Sequence, residues 1–262
     1  MKKRPRANKI LDVLFSVLAL AVLLAAWLIA YAQIGNDYIL PSFSDTMVQL
    51  WALFGEVFFW QALGSTLLRA AEGWALSFLC AAAAAVPAAL SKKFSRFIGV
   101  FVLVLRVIPT LAVTLILLLW STPHQAPVIV VFLMLFPISY AQLSAALRGI
   151  DAQLAEMAQV YGVSLRDRIF RIYIPQMLPA LFAQAGANLS LALKVAVSAE
   201  VLAYTYVSIG GMMQTANSFL EIARMFALTI SIIVLGGLLE FALGFLTRIT
   251  DRWKGGRAAG SN

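Results

Sequence analysis

The sequence predicts an all-α membrane protein with six transmembrane helices. Of its 262 residues, 62% are hydrophobic and only 12% are charged, and the mean hydropathy is +0.89. Soluble domains carry about 25% charged residues, so this composition is that of an integral membrane protein. The apolar runs are continuous rather than alternating, which favours helices over the strands of a barrel. Because a helical span needs roughly 20 residues, the length allows six spans with short loops in one domain.

The chain begins with a basic head, residues 1–9, followed by the first predicted span at residues 10–33. A secretory signal peptide would have a shorter apolar region, of about 7–15 residues, and a small-residue cleavage site. We therefore expect an uncleaved span. In the less regular segment that follows, Ser44 or Asp45 is expected to cap a short amphipathic helix that continues through Trp51.

The second and third spans are predicted at residues 62–90 and 97–120, on either side of a short basic turn. Five consecutive alanines in the second span favour close approach of neighbouring helices, because small residues let helix backbones pack together. The third span carries two residues that are unusual in a membrane, Arg106 and Pro109.

The later spans are separated by one short turn, one long polar loop and one glycine-containing connection. They are predicted at residues 128–147, 181–207 and 222–248, and a polar tail follows at residues 249–262. Pro137 interrupts the fourth span. The turn before it contains His124, the sole histidine of the sequence, which lies beside two prolines and is interpreted as a loop residue rather than a metal ligand.

The polar loop, residues 148–180, holds seven charged side chains in an otherwise apolar region. Asp151 is a good N-cap, because its carboxylate can accept hydrogen bonds from the free amides of a first helical turn. The apolar residues that follow have helical spacing and are expected to form one face of a short helix, Leu154, Ala158 and Tyr161.

The second half of the polar loop predicts a turn and a second helix. Gly162 lies where a residue in the left-handed conformation would end the first helix. Ser164 and Asp167 resemble a capping box that would start the next helix at once. Pro175 and Pro179 limit where that helix can continue without a kink. An ordinary solvated loop is the alternative interpretation of the same pattern.

The distribution of basic residues predicts the orientation. Sixteen of the twenty lysine and arginine residues lie in four places, which are the head, the turn after the second span, the polar loop, and the end of the last span with the tail. The opposite loops hold almost none, so the positive-inside rule predicts that both termini and the polar loop are cytoplasmic. Orientation also accounts for the net charge of +8, and nucleic acid is not an expected partner.

Motifs for enzymatic chemistry are absent from the sequence. There is no G-x-x-x-x-G-K-[ST] phosphate loop and no H-E-x-x-H zinc motif, and one histidine cannot build a multi-histidine metal site. Cys80 is the only cysteine, so no intramolecular disulfide can form. We therefore expect no catalytic residue, no metal and no cofactor bound by this chain.

Five ionisable residues inside the predicted spans are candidates for function, since charges in a membrane are costly and usually face the bundle interior or water. They are Arg69, Glu72, Arg106, Lys194 and Glu200. Arg69 and Glu72 are three residues apart and could pair on one helix face. Lys194 and Glu200 are six apart, about 600° around a helix, so each should find its partners elsewhere.

Three of these residues, Arg106, Lys194 and Glu200, are our candidates for a translocation path. Arg106 and Lys194 would help an anionic solute to pass. The alternative is that these charges pair structurally between helices or reach the interface with their ends.

A family resemblance is carried by the stretch EMAQVYGVSLRDRIFRIYIPQMLP, which is similar to the EAA loop of ABC importer permeases. The matching positions are Glu156, Ala158, Gly162, Ile174, Pro175 and Pro179. Met157 stands where the family usually has the first alanine, and residues 161–164 read Tyr-Gly-Val-Ser instead of Leu-Gly-Ala-Ser. Both departures change the size of apolar side chains and so concern the fit of a docking surface.

Two further stretches resemble the nitrate, sulfonate, taurine and thiamine-precursor branch of these permeases. They are LRVIPTLAVTLILLLW at residues 105–120 and LKVAVSAEVL at residues 193–202. A departure follows Trp120, where the family commonly has Phe-Gly-x-Gly and this chain has Ser-Thr-Pro-His-Gln. Together with the EAA loop, the resemblance covers most of residues 60–250.

The resemblance implies a type I ABC importer permease fold that works as a homodimer in the lipid of a bacterial inner membrane. It implies that the polar loop docks a coupling helix on each subunit of a cytoplasmic ABC ATPase dimer, which binds ATP and Mg²⁺, and that an extracytoplasmic solute-binding protein delivers the solute. The coupling residues would be Glu156, Ala158, Tyr161, Gly162, Ser164, Pro175 and Pro179. An ion-coupled secondary transporter and a membrane anchor without a translocation path remain the alternatives.

Overall fold

The computed structural model describes the backbone of residues 6–258, which leaves residues 1–5 of the basic head and residues 259–262 of the tail outside the described part. Within that range the chain forms eleven α-helices, one π-helical turn and no strand, so the all-α prediction is confirmed. The elements in order are α1 Arg6–Ile34, α2 Phe43–Gly55, α3 Val57–Leu90, α4 Lys92–Val107, α5 Thr110–Leu117, α6 Ala126–Arg148, α7 Ala152–Val160, α8 Leu165–Arg168, the π turn Ile169–Tyr173, α9 Ile174–Ala203, α10 Ile209–Ser218 and α11 Ile222–Ala258.

Five of the described helices are individually long and apolar enough to cross a membrane, and a sixth span arises if α4 and α5 are counted together. The helices that qualify alone are α1, α3, α6, α9 and α11. The axes of α4 and α5 differ by 93°. The segment predicted as the third span, residues 97–120, therefore contains two helices with a sharp bend between them.

Pro109 is the physical cause of this break. Proline has no backbone N–H, and its ring collides with the carbonyl four residues earlier in a continuing helix. Ile108 is extended, with φ −64° and ψ 127°, as expected for a residue that precedes proline. Pro137, by contrast, is buried inside a continuous α6, so the expected interruption of the fourth span does not occur. Helix α6 packs extensively against α3, and these tertiary contacts support it through its proline.

The centre of the fold is a bundle in which α3, α6 and α9 pack against one another and α11 packs against α9. One apolar core includes Phe59, Leu135, Leu193 and Leu228, and a second lies nearer the ends of α3 and α6. The ends of α3 and α6 lie together with the start of α4, because Ala89, Ser95 and Arg148 line the same cavity. We call this the basic end of the bundle, defined by residues 91–96 at the start of α4 and by residues 148–173 of the polar loop.

The first two helices lie at the edge of the bundle. Trp27 of α1 packs against Phe43 and Phe226, with ring centroids 5.7 and 5.5 Å apart, and its Nε1 donates to the Pro41 carbonyl oxygen at 3.1 Å. The predicted amphipathic helix is α2, but its N-cap is Ser42 rather than Ser44 or Asp45. The Ser42 hydroxyl accepts a hydrogen bond from the Asp45 amide at 3.0 Å. Helix α2 therefore begins at Phe43, earlier than its sequence pattern indicates.

Candidate functional site

At the basic end, the polar loop folds into a short helix that is capped as predicted. The Asp151 carboxylate accepts hydrogen bonds from the amides of Gln153 and Leu154, at 2.9 and 3.4 Å. This fixes the start of α7. The amide of Asp151 in turn donates to Oε1 of Gln176 on α9 at 2.9 Å, so the first turn of α7 is attached to the following span.

The turn after α7 is closed by Gly162, whose φ is +67°. The amide of Val163 donates to the carbonyl oxygen of Ala158, five residues earlier, at 2.9 Å, and this is the 6→1 hydrogen bond of a Schellman C-cap. The predicted left-handed glycine is confirmed. Residues other than glycine adopt a positive φ only at a steric cost, so this tight turn depends on glycine having no side chain.

A second helix starts immediately after the turn. The Ser164 hydroxyl accepts from the Asp167 amide at 3.2 Å and donates to the Asp167 carboxylate at 2.7 Å, which confirms the predicted cap. Asp167 also pairs with Arg171 on the surface at 3.1 Å. From here α8, the π turn and α9 follow one another without a gap, so one helical rod covers residues 165–203.

The π turn lies directly before the first proline of this rod. The amide of Ile174 donates to the Ile169 carbonyl oxygen, five residues back, instead of four. This wider turn precedes Pro175, whose ring would collide with a carbonyl in a regular helix. Pro179 lies within α9. Helix α9 therefore begins before the predicted fifth span, residues 181–207, and ends within it at Ala203.

The outer side of α7 is apolar and exposed. Tyr161 and Val160 have 79% and 84% of their surface accessible, and Leu154 and Met157 are exposed beside them. We call these four side chains the apolar stripe. Ala158 was expected on one face with Leu154 and Tyr161, but it is buried while those two side chains are exposed, and its carbonyl oxygen accepts the C-cap bond from Val163.

Glu156 lies next to the apolar stripe and is exposed. Among the described residues its carboxylate accepts no hydrogen bond and forms no ion pair. An apolar stripe with an available carboxylate and a rigid turn is a surface that can dock into a groove on another protein.

Away from this end, the bundle contains a buried ion pair. Nε of Arg69 on α3 lies 2.9 Å from Oε1 of Glu200 on α9, and the two side chains are 2% and 0% exposed. The second carboxylate oxygen accepts from the Thr66 hydroxyl at 2.9 Å and from the Gly210 amide at 3.2 Å. A Cβ at Gly210 would lie 2.7 Å from the Val197 carbonyl oxygen, so only glycine fits this close approach.

The guanidinium of Arg69 also reaches two loops. Nη2 donates to the Val207 carbonyl oxygen at 2.7 Å, and Nη1 lies 3.1 Å from Nδ1 of His124. Because arginine can only donate, Nδ1 of His124 is the acceptor. The ion pair therefore joins α3 and α9 to the start of α10 and to the turn before α6.

These contacts revise two sequence hypotheses. Arg69 pairs with Glu200 on another helix, whereas Glu72 is exposed, so the suggested pairing of Arg69 with Glu72 is wrong. Glu200 is fully enclosed by its partners and does not line an open path in this structure. Thr66, and the contact of Gly210 with Glu200, were not identified from the sequence, since a buried threonine and a glycine at a helix start carry no local signal of a distant carboxylate.

The remaining candidates, Arg106 and Lys194, are both exposed but lie in different cavities. Arg106 lines a cavity of about 510 Å³ at the basic end, together with Arg148 and Tyr140. Lys194 lines a separate groove of about 300 Å³ between α5 and α9. Arg106 and Lys194 are therefore not in contact with each other, and Lys194 and Glu200 lie on different sides of α9.

Comparison with known proteins adds a family match. Residues 73–253 match the family described as binding-protein-dependent transport system inner membrane component. The chain is 27% identical over 235 residues to the Escherichia coli (strain K12) permease SsuC, whose name refers to aliphatic sulfonates transport, with 88% of each chain covered. It is 25% identical over 252 residues to the taurine transport system permease protein TauC of the same strain, covering 93% of this chain and 91% of TauC.

A solved structure has the same fold. A chain of the MetNI methionine ABC transporter in an inward-facing conformation superimposes with a TM-score of 0.63 at 17% sequence identity. The match covers 74% of this chain and 98% of the MetNI chain. The helices described above therefore share the fold of that chain.

Proposed function

The chain belongs to the binding-protein-dependent transport system inner membrane components, the permeases of ABC importers, and on this premise we propose that it forms the translocation path for a small anionic or polar solute. Transport proceeds by alternating access and is driven by a separate cytoplasmic ATPase. The observation that carries the proposal is the capped helix-turn-helix at the basic end, with its exposed apolar stripe.

The helix α7 is the coupling helix in this proposal. Its apolar stripe enters a groove on an ABC ATPase subunit, and Glu156 supplies a polar contact at the edge of that groove. Gly162, Ser164 and the buried Ala158 hold the shape of the helix-turn-helix, so that it moves as a unit. A pre-formed docking element loses little conformational entropy on binding, which favours association.

Movement of the coupling helix reaches the membrane through the rod of residues 165–203. This rod is helical from the turn after α7 to Ala203, and both Pro175 and Pro179 lie inside it. Its far end is tied to α3 by Glu200 and Arg69. When ATP closes the ATPase dimer, a shift at α7 therefore displaces α9 relative to its neighbours rather than being absorbed in a flexible loop.

The proposal includes an orientation and a set of partners. The basic end faces the cytoplasm, with N- and C-termini on that side, because basic loops are retained there. A second copy of the chain completes the path, and each copy docks one ATPase subunit that holds ATP and Mg²⁺. An extracytoplasmic solute-binding protein delivers the solute at the opposite end.

The solute class is supported by charge and by the relatives. Two exposed cations, Arg106 and Lys194, line cavities of the membrane domain. The names of SsuC and TauC refer to sulfonates and taurine, which both contain a sulfonate group. A path with fixed positive charge favours solutes that carry negative charge.

Co-purification with the ATPase tests this function. The tagged chain is co-expressed with a candidate ABC ATPase subunit from the same organism, and the recovered ATPase is quantified after detergent extraction. We expect a stoichiometric complex for the unchanged chain and at least a tenfold loss for Met157→Asp, which places a charge in the apolar stripe. Val48→Asp, an equally drastic change on exposed α2, is the matched control and should retain the complex. Equal recovery from Met157→Asp would overturn the docking assignment.

A further inference from the structure

Lys194 lies in the middle of a helix that is long and apolar enough to cross a membrane. The apolar segment of α9 runs from Gln184 to Ala203. Lys194 is therefore ten residues from its start, about 15 Å at 1.5 Å per residue. A side chain of four methylenes cannot carry its ammonium that far to the headgroup region. Among the described residues the ammonium forms no hydrogen bond and no ion pair, unlike the buried Arg69.

The side of α9 that carries Lys194 differs from the side that carries Glu200. The six residues between them correspond to about 600°, which places the two side chains about 120° apart around the helix. Glu200 points into the bundle and is neutralised there. Lys194 points away from the bundle interior, so its charge is stable only where water or an anion can reach it.

A partly open groove of about 300 Å³ lies beside the Lys194 side chain. One wall comes from α5, directly after the break at Pro109, and the other from α9. The hydroxyl of Thr114 donates to the Thr110 carbonyl oxygen at 2.9 Å, and that of Ser198 donates to the Lys194 carbonyl oxygen at 3.0 Å. These hydroxyl protons are occupied, so the Lys194 ammonium is the principal donor in the groove.

The other walls of the groove are hydrocarbon, from Leu111, Val195 and Leu202. A ligand that matches this lining has one anionic group and an apolar body. A small inorganic anion would lose hydration against the hydrocarbon walls without compensation. A zwitterion would bring its own cationic group close to Lys194, where like charges repel.

We propose that the groove between α5 and α9 is a solute-binding site inside the membrane, at which the Lys194 ammonium binds the anionic head of an aliphatic organic anion. This inference rests on the proposed transport function and adds a selection step within the permease itself. The site prefers monoanions to zwitterions, so an alkanesulfonate is accepted and an aminoalkanesulfonate is disfavoured. Because α9 is continuous with the coupling segment, displacement of the rod moves one wall of the site.

Uptake into proteoliposomes that contain the full transporter complex tests the site, with 1-butanesulfonate and taurine as probes. We expect Lys194→Met to reduce ATP-driven uptake of 1-butanesulfonate at least tenfold and Lys194→Arg to retain most of it. Lys92→Met makes the same chemical change at the basic end and is the matched control, with expected uptake within twofold of the unchanged protein. Full 1-butanesulfonate uptake by Lys194→Met, or faster uptake of taurine by the unchanged complex, would overturn the proposal.

Chemical labelling decides the site independently of transport. Trinitrobenzenesulfonate, an anionic reagent that modifies accessible lysines, is applied to the purified complex, and labelled peptides are mapped by mass spectrometry. We expect Lys194 to be labelled and 1-butanesulfonate to protect it several-fold, with no protection of Lys92. An unlabelled Lys194, or labelling without protection, contradicts the site. If uptake does not require ATP, the transport mechanism proposed above fails, while this labelling result still decides the groove.

Discussion

Arg69 on α3 and Glu200 on α9 form an ion pair inside the helix bundle, with Nε 2.9 Å from Oε1 and both side chains almost fully buried. The residues are 131 positions apart in the sequence. Thr66 and Gly210 complete the hydrogen bonding of the carboxylate, and Val207 and His124 engage the guanidinium. The pair therefore connects α3 to the far end of the helical rod of residues 165–203, which begins directly after the turn that follows α7.

Removal of one partner of this pair should destabilise the fold strongly. Arg69→Met leaves the Glu200 carboxylate buried without a counter-charge, a change that costs about 3–5 kcal/mol. We expect a clearly lower midpoint of thermal unfolding in detergent, together with reduced yield. Glu72→Gln, on an exposed side chain one turn away, is the control and should unfold like the unchanged protein.

The double variant Arg69→Met/Glu200→Met separates pairing from packing. It removes both charges, so a substantial part of the stability lost in Arg69→Met should return. An Arg69→Met variant with an unchanged unfolding midpoint would refute the structural importance of the pair.

Gly162 should be required for coupling but not for insertion. Valine at φ +67° is strained by about 1–2 kcal/mol or more, which opens the turn between α7 and α8. We expect Gly162→Val to reach the membrane in normal amounts, yet to lose ATPase association and ATP-driven uptake. Gly149→Ala, in the same loop at φ −84°, should behave normally. Normal uptake by Gly162→Val would mean that the turn does not transmit motion.

A second ion pair, between Glu56 and Arg224, is predicted to contribute far less than the buried one. Arg224 donates from both Nη atoms to the two oxygens of Glu56, at 2.9 and 2.7 Å, and thereby joins the start of α3 to the start of α11. The two side chains are 26% and 34% exposed, so solvent screens the interaction. Arg224→Lys, which cannot form the two-pronged contact, should lower unfolding stability by at most about 1 kcal/mol. A loss as large as that in Arg69→Met would contradict this ranking.

The sequence was sufficient where structure is local. Asp151, Gly162 and Ser164 each cap a helix or end it through bonds to residues within five positions, and all three were identified from residue type and spacing. The sequence did not reveal the partner of Glu200, because no local pattern links residues on two helices. It also did not reveal that the connection before α11 contains the buried helix α10.

The prolines show a second feature that could not be predicted from the sequence alone. Pro109 and Pro137 have the same chemistry, yet the first separates two helices by 93° and the second lies inside a continuous helix. The difference comes from packing, since α6 is supported along its length by α3. A residue that permits a bend does not determine it; tertiary contacts do.

The most direct test measures on which side of the membrane residue 161 is accessible and whether the ATPase covers it. Tyr161→Cys in a Cys80→Ser background gives a single cysteine in the apolar stripe, and a membrane-impermeant maleimide then reports its accessibility. We predict no labelling in intact cells, rapid labelling in inside-out vesicles stripped of the ATPase, and protection when the ATPase is restored. Labelling from the outside of intact cells would contradict the cytoplasmic docking of α7 and, with it, the proposed coupling to ATP.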